Sequence, residues 1–260
     1  EGILTLHNPL QISSHLTTSL IDSFFSGDLL HSAIGEENPL TCRIDSDGFS
    51  CPLVPFSLED LQIKKGTIEL GKIVFHNEGE ISSLLPFLKP LSGTNVLIWF
   101  TPLLFQIEKG RLTFKRWDML VEKAYRMAGW GHWDLVHRQG DFVIGISAQT
   151  LEKTLGIKGL DKNYLLQIPL KVTDGKAEIN RKKAVAQIAF LVAQTQTGSS
   201  GKLFGRLFDS TLLNQPVPPS PTQLFPWGDD NSLTDAVPPS TSEEISSPKK
   251  KLKRRYSHSY

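Results

Sequence analysis

The chain has 260 residues, with 39% apolar and 21% charged side chains, enough to bury a sizeable core and too little charge for a wholly disordered protein. Its net charge of +1 is a cancellation. Residues 248–260 hold six basic groups and no acid; setting those six aside from the 28 Lys and Arg leaves 22 basic against 27 acidic residues, about −5. A basic nucleic-acid-binding domain is thereby disfavoured, and a basic tail on a mildly acidic body is what the numbers describe.

The chain starts at Glu1 with neither Met nor a basic–apolar leader, so it reads as a processed chain or a piece of a longer polypeptide. In residues 1–35, Leu4, Leu6, Leu10 and Ile12 suggest short strands, and Leu16 to Leu30 suggests a helix. Cys42 and Cys51 flank the turn signal Asp45-Ser46-Asp47-Gly48. A Ser46-Asp47 loop sets the two cysteines opposite each other; an Asp47-Gly48 loop or a bulge separates them. Two small buried hydrophobes and a disulfide in an oxidising compartment both stay open, whereas no second ligand pair has the spacing for a metal.

Pro52 and Pro55 prevent a helix around Leu53-Val54. Thr67 to Phe75 alternates and then slips by one residue near Gly71, as at a bulge or bend. Ile81 to Leu88 suggests one or two helical turns. The apolar run Val96–Phe105 is ten residues long, half of what a helix needs to cross about 30 Å of hydrocarbon. It continues to Glu108, turns at Lys109-Gly110 and returns to Lys115, pairing Phe105 and Ile107 with Leu112 and Phe114 on one apolar face. Residues 116–128 fit a helix or a strand. Gly129–Val136 and Asp141–Ile146 read as strands around the polar turn 137–140, and Thr150–Leu155 as a short helix ending at Gly156. Tyr164–Val172 is a strand in which Pro169 argues for an edge or a bulge. Asn180 caps a helix over Arg181–Gln194 with Ala184, Ile188, Leu191 and Val192 on one stripe. Eight of the sixteen prolines fall between 216 and 248, so the chain divides into a β-rich body, residues 1–210, and a Pro/Ser-rich disordered tail, residues 211–260.

No phosphate-binding glycine loop, nucleophile elbow or zinc-protease motif is present. The nearest metal-like set is His132, Asp134 and His137, of which the first two share a strand face and the third falls in the turn. Asp118, Glu122, Asp134 and Asp141 show no spacing that defines an acid/base pair. Neither an enzyme nor a cofactor is expected. Trp99, Trp117, Trp130 and Trp133 crowd into 35 residues with several Phe. Three uses fit them: a stacking platform for sugars or bases, core packing, or an apolar groove that receives lipid. The basic tail, Lys249, Lys250, Lys251, Lys253, Arg254 and Arg255, suits an anionic membrane surface and is also similar to a nuclear-import string.

From Phe105-Gln106-Ile107-Glu108-Lys109-Gly110-Arg111-Leu112, through Gly131-His132-Trp133-Asp134-Leu135 and Asp141–Ile146, to Ile168–Gly175 and Ile179–Ala184, the order of pieces resembles the carboxy-terminal region of the AsmA-like bacterial envelope proteins related to TamB. The likeness covers roughly residues 100–195, and the sequence also resembles large envelope proteins of chlamydia-like bacteria. The absence of a visible anchor and the Pro-rich basic tail depart from the family pattern. The resemblance implies a curved antiparallel sheet or half-pipe closed by a helix. It also implies a periplasmic position, with an inner-membrane anchor in a segment missing from this chain, and a noncatalytic part in phospholipid transport or outer-membrane assembly beside other envelope proteins. Groove or core candidates are Phe105, Ile107, Leu112, Phe114, Phe142, Ile144, Leu166 and Ile168. The alternative is a structural or protein-interaction module with a sealed core and a membrane- or partner-binding basic tail.

Overall fold

The computed structural model describes residues 2–15, 17, 39–76, 95–174, 176–179, 181–196, 216–221 and 225–227. Thirteen strands form one antiparallel sheet: β1 (Ile3–Leu4), β2 (Leu10–His15), β3 (Pro39–Ile44), β4 (Phe49–Pro52), β5 (Gln62–Glu69), β6 (Lys72–His76), β7 (Asn95–Phe100), β8 (Leu103–Glu108), β9 (Arg111–Val121), β10 (Tyr125–Asp134), β11 (Gln139–Ser147), β12 (Leu165–Thr173) and β13 (Lys176–Ile179). Two helices, α1 (Ala148–Leu155) and α2 (Arg181–Gln196), complete the described elements.

The pairing is simpler than thirteen strands suggest. β1 pairs β4 while β2 pairs β3, and β3 and β4 both pair β5. β5 pairs β8 while β6 pairs β7, and β7 and β8 both pair β9. The first eight strands are therefore four interrupted columns, followed by β9 to β13 as single ones. Each column pairs with its sequence neighbour, so the whole is an up-and-down meander. One line of interruptions runs through Leu70-Gly71, Thr101-Pro102 and the register shift between Gly129 and Gly131. The expected slip near Gly71 is the first of these, and Gly71 has φ 59°, a left-handed conformation that glycine adopts without a Cβ clash.

The half-pipe expected from the resemblance is not what forms. The sheet is open, neither closed nor strongly curled; β1 and β13 end its path and do not meet. The physical reason lies in how its apolar face is covered. Ile73, Phe75, Val96, Ile98, Phe100, Val121, Met127, Ile146, Leu166 and Ile168 pack with Leu151 of α1, Ile157 after it, and Ala184, Ile188 and Leu191 of α2. Helices laid on the sheet bury this part of the face, from β6 and β7 to β12, so curling onto itself is not needed to dry it. The β-rich α+β composition stands; the curvature does not.

The local signals explain the cover. Ser147 caps α1 by accepting from the Thr150 N–H at 3.2 Å, and Gly156 ends it with φ 70° and an N–H donated to the Glu152 carbonyl at 3.0 Å. On α2 the buried positions are those of the expected stripe, with Val192 partly buried beside them. The helix proposed for Leu16–Leu30, the turns at Ile81–Leu88, Asn180 and the basic cluster Lys249–Arg255 lie outside the described residues.

Candidate functional site

Side chains alternate between faces along each strand, so register assigns them. Phe105 opposes Phe114 and Ile107 opposes Leu112; Gly131 links Phe114 to Phe142 across β10; Ile144 opposes Ile168 and Ile146 opposes Leu166. All eight groove or core candidates therefore share the helix-bearing face. They are not equally covered: Phe105, Leu166 and Ile168 are buried, whereas Ile107, Leu112, Phe114, Phe142 and Ile144 are half-buried. The same face continues through Ile63, Ile44 and Cys42 to Ile12 and Leu10 on β2, which are 50% and 39% exposed.

Glycines shape the middle of this face. Gly66 lies opposite Phe105, Gly129 opposite Trp117, and Gly140 opposite Trp133. A Cβ on Gly66 would stand 2.2 Å from the Phe105 ring, and one on Gly129 would stand 2.4 Å from the Trp117 indole. The aromatic rings thus lie down over bare backbone. Phe114 joins them, with ring centroids 6.3 Å from Phe105, 6.3 Å from Phe142 and 5.8 Å from Trp117, the last edge-on. Of the three uses foreseen for the aromatics, packing against the sheet accounts for these contacts.

Cys42 and Cys51 are unbonded. They do not stand across a hairpin, because β3 and β4 run in line along the same side of β5. Cys42 lies opposite Ile68, and Cys51 follows Ser50, which lies opposite Gln62. Roughly 20 Å of strand at ~3.3 Å per residue separates the two, against the ~7 Å limit between Cα atoms of a disulfide. Burial pushes the Cys42 thiol pKa up.

The second face carries a polar cluster that sequence spacing did not disclose. Asp118 is buried on β9; its N–H donates to the Thr101 hydroxyl at 2.8 Å, and that hydroxyl donates to the Asp118 carbonyl at 3.3 Å. Arg116 Nη2 donates to Asp118 Oδ1 at 2.7 Å, the side chains being only 15% and 11% exposed. Arg126 shares the face, opposite Leu120; burial lowers its pKa and the Asp118 charge partly restores it. Onto this pair comes part of the proline-rich tail. Arg116 Nη1 donates to the Pro218 carbonyl at 3.4 Å, and the Ser220 hydroxyl donates to Asp118 Oδ2 at 3.3 Å. Just beyond, Phe225 and Trp227 stack at 5.0 Å. Asp118 was visible as a carboxylate, but its partner 102 residues away left no local signal.

His132, Asp134 and His137 are occupied separately. The Asp134 carboxylate accepts from the Val136 N–H at 2.9 Å, the His137 N–H at 2.8 Å and the His137 imidazole at 2.8 Å, capping the β10–β11 turn. The His137 backbone hydrogen bond first, and then its imidazole, hold the Asp134 pKa below the ordinary carboxylate value. That contact raises the pKa of His137. His132 goes the other way, through burial and then the Arg111 guanidinium against its Nε2. Among the described residues no group of three such side chains is arranged to hold a metal ion. No helix among them is long and apolar enough to cross a membrane.

No known family model, curated protein or solved structure matches the chain.

Proposed function

We propose that this chain is a noncatalytic interaction module whose sheet is extended by a β-strand from a partner protein at the β1–β2 edge. One observation carries this reading: an uncovered apolar edge. β2 pairs β3 on one side and has no strand on the other among the described residues, and all six of its residues are exposed. Leu4, Leu10 and Ile12 bring the apolar face to that edge, and Ile3 and Leu53, whose N–H donates to the Gly2 carbonyl, are exposed beside Leu4. Free backbone groups and exposed apolar side chains are the two things an added strand satisfies together.

A second reading is favoured by the continuity of the apolar face from Leu10 to the half-buried Phe114. Acyl chains leaving water for that face gain ~0.8 kcal/mol per CH₂, as in the phospholipid transport that the AsmA-like resemblance implies. The envelope setting, the periplasmic position and the docking of the basic cluster Lys249–Arg255 on an anionic membrane all rest on that resemblance and on charge. Photocrosslinkers placed at Leu10 and Ile12 in the source cell, with Val185 on the exposed side of α2 as reference, test both readings. Protein adducts at the edge support strand addition and phospholipid adducts support the second reading; labelling no greater than at Val185 overturns both.

A further inference from the structure

We propose that Arg116 and Asp118 form a recognition site for an extended Val-Pro-Pro-Ser segment, and that the chain carries two interchangeable occupants for it. The first is in place: Val217-Pro218-Pro219-Ser220 meets the site through the Pro218 carbonyl and the Ser220 hydroxyl. The second is written twenty residues later as Val237-Pro238-Pro239-Ser240. Both groups that the site engages, the carbonyl of the first proline and the hydroxyl two residues on, recur in it.

The chemistry suits such a ligand. Proline lacks an N–H, so a proline-rich strand offers carbonyls without donors, and a guanidinium supplies the donor that such a carbonyl needs. Four prolines among residues 216–221 restrict the backbone before binding, which lowers the entropy lost on docking. The site is equally fixed. Buried Thr101 pins the Asp118 backbone from both sides, and Arg116 holds one carboxylate oxygen, leaving the other for a hydroxyl. Trp99 lies on the same face, opposite Leu120 and so two residues along β9 from Asp118, with its buried indole Nε1 unpartnered among the described residues. An aromatic face with a spare N–H is the usual companion of proline-rich recognition. Exchange has a consequence for the tail: Ser220 precedes Lys249 by 29 residues and Ser240 precedes it by nine, so the occupant sets the reach of the basic cluster.

The test uses the full chain in three forms: unaltered, with the first motif broken (Pro218→Gly, Pro219→Gly, Ser220→Ala), and with both motifs broken (adding Pro238→Gly, Pro239→Gly, Ser240→Ala). Each is titrated with a fluorescent peptide of residues 234–243, after far-UV circular dichroism has shown the same strand signature. A tethered occupant acts at an effective concentration of roughly 1 mM, so for a peptide of about 100 μM affinity it weakens binding about tenfold. We expect the form with both motifs broken to bind the peptide about tenfold more tightly than the other two. Replacing Ser240 by Ala in the peptide should abolish that gain. Equal binding by all three forms, or by none, overturns the site; a first-motif variant that binds as tightly as the double one overturns the interchange.

Discussion

Replacing Gly129 by Ala probes the packing of aromatic rings on bare backbone. The new Cβ would lie 2.4 Å from Trp117 Cζ2 and 2.5 Å from Cε2, whereas carbon atoms settle at about 3.5–4.0 Å. The indole has to retreat by roughly an ångström, and Phe114 sits edge-on against it at 5.8 Å. Overpacking of this kind costs ~1–3 kcal/mol, and the lower backbone entropy cost of Ala in a strand returns ~0.5–1. A net loss of about 1–2 kcal/mol follows. In a Trp117→Leu background the obstructing ring is gone, and the same Gly129→Ala change should be neutral or slightly stabilising. Urea unfolding followed by far-UV circular dichroism on the four members of this cycle measures the coupling. Additivity within ~0.5 kcal/mol would refute the steric account. Gly156→Ala is the contrasting control: its φ of 70° and the empty space around it make the cost, ~1–2 kcal/mol, purely conformational and uncoupled from Trp117.

Asp118→Asn leaves Arg116 without its counter-charge in a mostly buried place, and unfolding should be easier by ~3 kcal/mol; the paired change Arg116→Met with Asp118→Leu should cost less than the single one, measured in the same urea assay. His137 in the β10–β11 turn and His132 on β10 should titrate apart by NMR, His137 above and His132 below the ordinary imidazole value, and Asp134→Asn should lower the His137 midpoint. The Asp134–His137 contact is fully present above about pH 4 and below about pH 6.5, and is lost as pH falls through the depressed carboxylate pKa or rises through the elevated imidazole pKa. Burial of Cys42 predicts slow alkylation of this thiol in the folded chain, and the intact mass should be unchanged by reductant; a 2 Da increase would contradict the free thiols.

Where a single period governed a segment, the sequence disclosed the outcome. The Lys109-Gly110 turn set Phe105 and Ile107 against Leu112 and Phe114 on one face, and the structure pairs Phe105 with Phe114 and Ile107 with Leu112. The stripe on α2 and the glycine end of α1 were legible for the same reason, because caps and periodicity are local. Residues 116–128 were not. Their turn uses Glu122 and Lys123 at φ 51° and 55°, positions where glycine or asparagine is the usual signal. Glu122 instead exchanges hydrogen bonds with Leu97 through its side chain and backbone, a nonlocal compensation invisible in sequence. The cysteines show the same limit: a turn signal at Asp47-Gly48 marks either a hairpin or a bulge, and pairing of both flanks with β5 decides for the bulge. Curvature was inferred from resemblance alone, and helix packing on the sheet overruled it.

The up-and-down order also dictates how the molecule comes off the ribosome. Each column can pair with the one made just before it, so the sheet can grow in the order of synthesis. Its cover arrives late: β6 ends at residue 76, while α2, whose Ala184, Ile188 and Leu191 join the same core cluster as Ile73 and Phe75, starts at residue 181. At ~5–20 residues per second, roughly 5–20 s of elongation separates them. Until α1 and then α2 follow, a nascent sheet shows water its driest face, and this is the period in which a chaperone has most to protect.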